Sequence, residues 1–154
     1  MNNNAIFQSR ILVIDDEPAN VELLEQLLHR EGFNNVISTT ESERALAIFH
    51  AFKPDLILLD LRMPKIDGFS LLTSLAEFRS AQVFLPVIVL TADVTRETKH
   101  KALAMGATDF LTKPFDTIEV MLRIWNLLET TLLHKQLLEL NPNTPPLMSR
   151  PKLS

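Results

Sequence analysis

The chain has no cysteine. Disulfide bonds and thiolate metal sites are therefore excluded, and a reducing compartment suits the composition. Glycine is scarce, with only three. Gly32 and Gly106 follow amphipathic stretches, where they stop helices, and Gly68 follows Asp67 in a loop. No apolar run approaches the roughly 20 residues needed to span a bilayer. Met1 to Ser9 lacks the basic and apolar blocks of a secretion signal, so the expected location is cytoplasmic. There is no basic excess either. Fifteen Lys and Arg stand against nineteen Asp and Glu, a net charge of −4, which gives no electrostatic reason for direct nucleic-acid binding. What remains is 154 residues, 46% of them hydrophobic, enough for one domain with its own core plus an appendage.

Short apolar runs alternate with amphipathic stretches. Ile11-Leu12-Val13-Ile14, Leu56-Ile57-Leu58-Leu59 and Val87-Ile88-Val89-Leu90 are unbroken by polar residues, as strands covered on both faces are. Val36 to Thr39 and Phe110 to Thr112 read as two further strands. Helices are expected from Pro18, which suits a first turn, from a capping box at Thr40 and Glu43, from near Phe69, and from Thr95 to Met105. A last one should run from about Thr117 to about Leu140. Five such alternations predict an α/β fold, a parallel sheet with helices on both faces. There is no internal repeat. Asn141 to Ser154, with Pro142, Pro145, Pro146 and Pro151, reads as a flexible or extended tail.

Ligands of open parallel sheets bind beyond the carboxyl ends of the strands. There the sequence places Asp15, Asp16 and Glu17, then Asp60, Thr91 and Lys113. Singly, each has an ordinary reading: the first two as helix caps, Thr91 as a helix entry, Lys113 as a solvated cation. Asp60 directly follows four buried apolar residues, which demands a reason. Together they suit phosphoryl transfer to a carboxylate. A hard divalent cation relieves the carboxylate repulsion, and a lysine and a hydroxyl stabilise the equatorial oxygens.

Ile14-Asp15-Asp16-Glu17, Leu59-Asp60-Leu61-Arg62-Met63-Pro64, Asp67-Gly68, Leu90-Thr91-Ala92 and Phe110-Leu111-Thr112-Lys113-Pro114-Phe115, in this order, resemble the response-regulator receiver family of two-component signalling. The likeness covers about Ser9 to Leu127. It implies a doubly wound, flavodoxin-like sheet of five strands in the order 2-1-3-4-5. Asp60 would be the phosphoacceptor. Asp16, Asp60 and the backbone carbonyl of Arg62 would hold Mg²⁺ (or Mn²⁺), with Asp15 acting through a metal-bound water. Thr91 and Lys113 would bind the phosphoryl oxygens, and the Lys113-Pro114 bond would be cis. Phe110 would turn inward as Thr91 moves. The chain has no tyrosine, so that switch would act by packing alone. The donor would be a sensor histidine kinase or phosphotransfer protein, and the domain would be a signalling switch rather than an enzyme turning over substrates. A dehalogenase-like phosphohydrolase is the rival. Such enzymes place a second Asp two residues after the nucleophile, where this chain has Arg62. Arg62 and Asp93 lie at the mouth of the site, either as a pair bearing on water access or as two exposed charges worth well under about 1 kcal/mol. The four histidines show no ligand spacing and read as surface or helix residues.

The last helix is longer than one sheet face needs. Its 24 or so residues would extend about 36 Å. Residues 9–127 read as the receiver, 128–140 as a helical extension, and 141–154 as the tail. Ile118, Met121, Trp125, Leu128 and Leu132 step by threes and fours, and Leu133, Leu137 and Leu140 continue one position out of phase. The expected partner is the same helix of a second copy, in a coiled-coil homodimer. Packing back on the receiver is the alternative. The chain reads either as a stand-alone receiver or as a piece of a longer regulator with an output domain.

Overall fold

In the computed structural model, residues 3–63, 67–77, 84–93 and 95–143 are described. The five strands are β1 (Ile11–Ile14), β2 (Val36–Thr39), β3 (Leu56–Asp60), β4 (Val87–Thr91) and β5 (Asp109–Thr112). They form one parallel sheet in the order β2-β1-β3-β4-β5, the doubly wound arrangement expected. Every residue of β1, β3 and β4 is buried, whereas β2 and β5 are partly open. The inner strands are covered on both faces and so carry no polar alternation.

The helices are α1 (Asn3–Phe7), α2 (Pro18–Arg30), α3 (Ala45–Phe52), α4 (Gly68–Glu77), α5 (Arg96–Ala104) and α6 (Thr117–Leu140). Successive strand residues point to opposite faces, which sorts the core into two layers. Ile11, Val13, Leu56, Leu58, Ile88 and Leu90 pack with Leu24 and Leu28 of α2 and Val120, Ile124 and Leu128 of α6. Leu12, Ile14, Ile57, Leu59, Val87 and Val89 pack on the other face with Ala45, Leu71, Leu72, Leu75 and Ala102. Each fully buried Leu or Ile contributes about 1.5–3 kcal/mol.

Helix ends follow local chemistry. Thr95 caps α5 by accepting from Thr98 N, and Asp116 caps α6 by accepting from Ile118 N and Glu119 N. The capping box at Thr40 and Glu43 does not form. Ser42–Arg44 is instead a 3₁₀ turn, α3 starts at Ala45, and the hydroxyl of Thr39 accepts from Glu41 N at 3.0 Å. Helix α1 was not expected. Its segment is polar in composition, yet Ile6 is buried in the α2–α6 layer. Pro64 lies outside the described residues, as does the tail from residue 144 on.

Helix α6 is apolar on two faces. Val120, Ile124, Leu128, Thr131 and His134 are buried against the domain. Ile118, Leu122, Leu133, Leu137 and Leu140 are exposed, and helical periodicity puts them on the opposite side. The far half of the helix thus packs back on the receiver as far as His134. Lys135 of α6 pairs with Asp55, just before β3. His134 is a helix residue, as read, and is buried, only 4% exposed.

Candidate functional site

Sheet order builds the site. With β1, β3, β4 and β5 adjacent, the loops after β1 and β3 meet where the connections diverge, and the ends of β4 and β5 complete the rim. Ile14 pairs with Leu59, so Asp15 and Asp60 extend side by side from paired strands. Asp60 pairs with Leu90, and Thr91 with Thr112. A backbone bond from Lys113 N to Thr91 O, 2.8 Å, ties the lysine to the end of β4.

Asp15, Asp60 and Thr91 are buried and Asp16 is half-buried. Asp15, Asp16 and Asp60 each offer an oxygen, and these oxygens all lie within 4.8 Å of one another. Lys113 Nζ is 2.8 Å from Asp15 Oδ2 and 3.4 Å from Asp60 Oδ2. The lysine therefore pairs first with Asp15, 98 residues away in sequence. Backbone amides orient the acids: Glu17 N donates to Asp15 Oδ1 at 3.0 Å, and Arg62 N to Asp60 Oδ1 at 3.2 Å.

The electrostatics follow. Burial, and then the charge of Asp15, push the Asp60 carboxyl up to about 7, against the opposing pull of the Arg62 amide and Lys113. Burial alone would lower the Lys113 ammonium. The hydrogen bond and charge of Asp15, with Asp60 and Glu17 behind them, outweigh it and raise Lys113 overall. Three carboxylates face one ammonium, and Asp60, buried and farther from Lys113 than Asp15 is, is the acid whose charged form is disfavoured. A hard divalent cation fits this all-oxygen donor set and would remove the frustration.

Arg62 and Asp93 form an ion pair of 2.9 Å across the mouth. Asp93 also accepts from Thr95 N at 3.0 Å and from the Thr98 hydroxyl at 2.8 Å. The Thr95 amide first, then the Thr95 and Thr98 side chains and Arg62, hold its carboxyl well below the usual range. Thr91 Oγ1 accepts from Asp93 N at 3.2 Å. Phe110 is half-buried against the second core layer, and the Lys113-Pro114 bond is cis.

Gly68, expected in a loop with Asp67, is the first residue of α4. Its amide donates to Leu61 O at 3.0 Å. A Cβ at this position would overlap Leu61 Cα and lie 2.8 Å from Asp60 O. The start of α4 thus rests directly on the backbone that carries Asp60, an approach that only glycine permits. The Asp67-Gly68 pair was legible in the sequence, but the surface it touches was not.

The response regulator receiver domain family matches residues 11–124. The chain belongs to the response-regulator receiver family. The alkaline phosphatase synthesis transcriptional regulatory protein PhoP of Bacillus subtilis is 40% identical over 115 residues, which are 75% of this chain and 46% of PhoP. The transcriptional regulatory protein YvrH of the same organism is 36% identical over 126 residues, 82% of this chain and 52% of YvrH. The receiver thus spans about half the length of these relatives. Among solved structures, the receiver domain of Francisella response regulator 1452 superposes with a TM-score of 0.74 at 30% identity, covering 80% of this chain and 99% of that one. Among the described residues, no helix of the receiver is long and apolar enough to cross a membrane.

Proposed function

We propose that this receiver is a phosphorylation switch whose phosphoacceptor is Asp60. One observation carries the reading: three carboxylates and Lys113 converge at the carboxyl ends of β1, β3 and β5, with the buried Asp60 at their centre. A carboxylate oxygen of Asp60 attacks the phosphorus of a phosphohistidine on a sensor kinase or phosphotransfer protein. The P–N bond breaks, and its electron pair stays on the imidazole. Lys113 turns from Asp15 toward the transferred phosphoryl oxygens, and the Thr91 hydroxyl donates to another. Asp16, Asp60 and the Arg62 carbonyl would hold Mg²⁺ (or Mn²⁺), with Asp15 acting through a metal-bound water, and the ion would supply the charge neutralisation the lysine alone cannot.

Phosphorylation adds about −1.5 to −2 charges. The Thr91 hydroxyl leaves the Asp93 amide, Phe110 repacks in the space vacated, and the surface of α5, β5 and α6 changes its partner preference. The exposed row on α6 is read as the contact to a second copy, in a homodimer that addresses a partner or an output domain in the cytoplasm.

Intact-mass measurement after incubation with acetyl phosphate and Mg²⁺ tests the central step. The wild type should gain one phosphoryl group, and Asp60→Asn should gain none. A wild type without an adduct, or an equal adduct on Asp60→Asn, removes the proposal.

A further inference from the structure

Helix α1 does not belong to the alternating pattern that builds the sheet, yet it is firmly seated. The Phe7 ring meets Phe33 edge-on at a centroid distance of 5.2 Å and Trp125 of α6 at 5.6 Å. Ile6 is buried in the same layer as Ile124 and Leu128, and Phe7, Trp125 and Leu132 pack against that layer. Asn35 Nδ2 donates to Gln8 O at 3.0 Å. Gly32, at φ +107°, leaves room for the aromatic. A Cβ there would stand 3.1 Å from Phe7 Cδ1 and Cε1.

Trp125, Leu128 and Leu132 are three of the five residues that step along α6 by threes and fours. A seam of that spacing suits a partner helix. Here the receiver body and α1 cover these three instead. Beyond α1, the last turns are held weakly. Lys135 is half exposed in its pair with Asp55, and such pairs contribute little. His134 is buried with Nε2 lacking a hydrogen-bond partner among the described residues, which opposes docking of its turn.

We propose that α1 is a clasp. It fastens the half of α6 from Trp125 onward to the receiver and withholds Trp125, Leu128 and Leu132 from a second copy of this chain. When α1 lifts, those residues join Leu133, Leu137 and Leu140 in one longer apolar surface. The identity of the partner rests on the homodimer reading above, whereas the clasp itself does not.

Hydrogen exchange on the full chain, read together with sedimentation, separates the two. In Phe7→Ala the amides of residues 129–140 should exchange roughly tenfold faster or more, with those of the five strands unchanged. The emission of Trp125, the only tryptophan, should shift to the red. Sedimentation should show a larger dimer fraction at equal concentration. Asn35→Ala keeps every apolar contact and serves if Phe7→Ala loosens the whole sheet. Faster exchange confined to α1 and residues 129–140 supports the clasp. Unchanged exchange of residues 129–140 in both variants overturns it. Faster exchange with a purely monomeric mass keeps the clasp and removes the homodimer.

Discussion

Asp60 carries its charge at a cost to the fold. Its carboxyl rises from 3.8 to about 7 in the folded chain, through burial and the nearby Asp15. Between those values the native state binds more protons than the unfolded state, so stability falls as pH rises through the window and is flat above it. A window that wide sets a ceiling of about 4 kcal/mol. Sharing with Asp15 and Lys113 brings the expectation to about 2 kcal/mol. In EDTA, Asp60→Asn should therefore melt about 4–8 °C above wild type at pH 8, and the gain should vanish toward pH 4. A pH-independent difference would contradict this origin. Adding Mg²⁺ should raise the wild-type melting temperature more at pH 8 than at pH 5, and should do far less for Asp60→Asn. The mouth pair is a separate matter. Arg62 is 71% exposed, so Arg62→Ala should change stability by less than about 0.5 kcal/mol. If the guanidinium screens an aspartyl phosphate from water, the same change should shorten the phosphoryl half-life a few-fold. An unchanged half-life would reduce the pair to a surface contact.

Elements were legible where a period was long or a run unbroken. The three inner strands announced themselves as four apolar residues ending in an acid or a threonine, which also fixed the rim of the site. Helix α1 has five residues, too few to show a period, and its value lies in Ile6 and Phe7 meeting a surface assembled from α2, Phe33 and α6. The orientation of α6 was hidden for a different reason. A helix apolar on both faces has no single stripe to align with the core, so the stepped row Ile118 to Leu132 looked like one seam. Leu128 proved buried and Ile118 70% exposed. The pairing of Lys113 with Asp15 was equally hidden, because each partner's neighbours in sequence say nothing about the other. The contact of α4 with Leu61 leads to the sharpest prediction at this scale. Gly68→Ala cannot relieve an overlap with backbone, so α4 or the Asp60 loop must move. It should cost about 2–4 kcal/mol and slow phosphoacceptance from acetyl phosphate. Wild-type melting and wild-type kinetics together would show that the approach is looser than described.

At the scale of the whole molecule, the sheet sets the proposed phosphoacceptor apart from the proposed contact between copies. Asp60 sits at the carboxyl edge, whereas α6 begins beside that edge, after Lys113 and Pro114, and runs to Asp55 at the amino edge. One helix thus reaches from the neighbourhood of Asp60 to the far side of the domain. Along its open face lie Ile118, Leu122, Leu133, Leu137 and Leu140, the last 85% exposed. Asn126 and Glu129 interrupt the row, and polar positions of this kind set the register between paired helices at some loss of stability. An isologous contact along this row would bring two copies together without touching either acidic cluster. Leu133→Glu combined with Leu140→Glu should therefore abolish concentration-dependent dimerisation in sedimentation. It should leave the acetyl phosphate adduct and the melting temperature near wild type, because neither side chain lies in the buried layers. Loss of the adduct along with the dimer would mean that assembly and phosphoacceptance are coupled through α6. A dimer that survives both charges would place the contact elsewhere, with α5 and β5 the next surface to test.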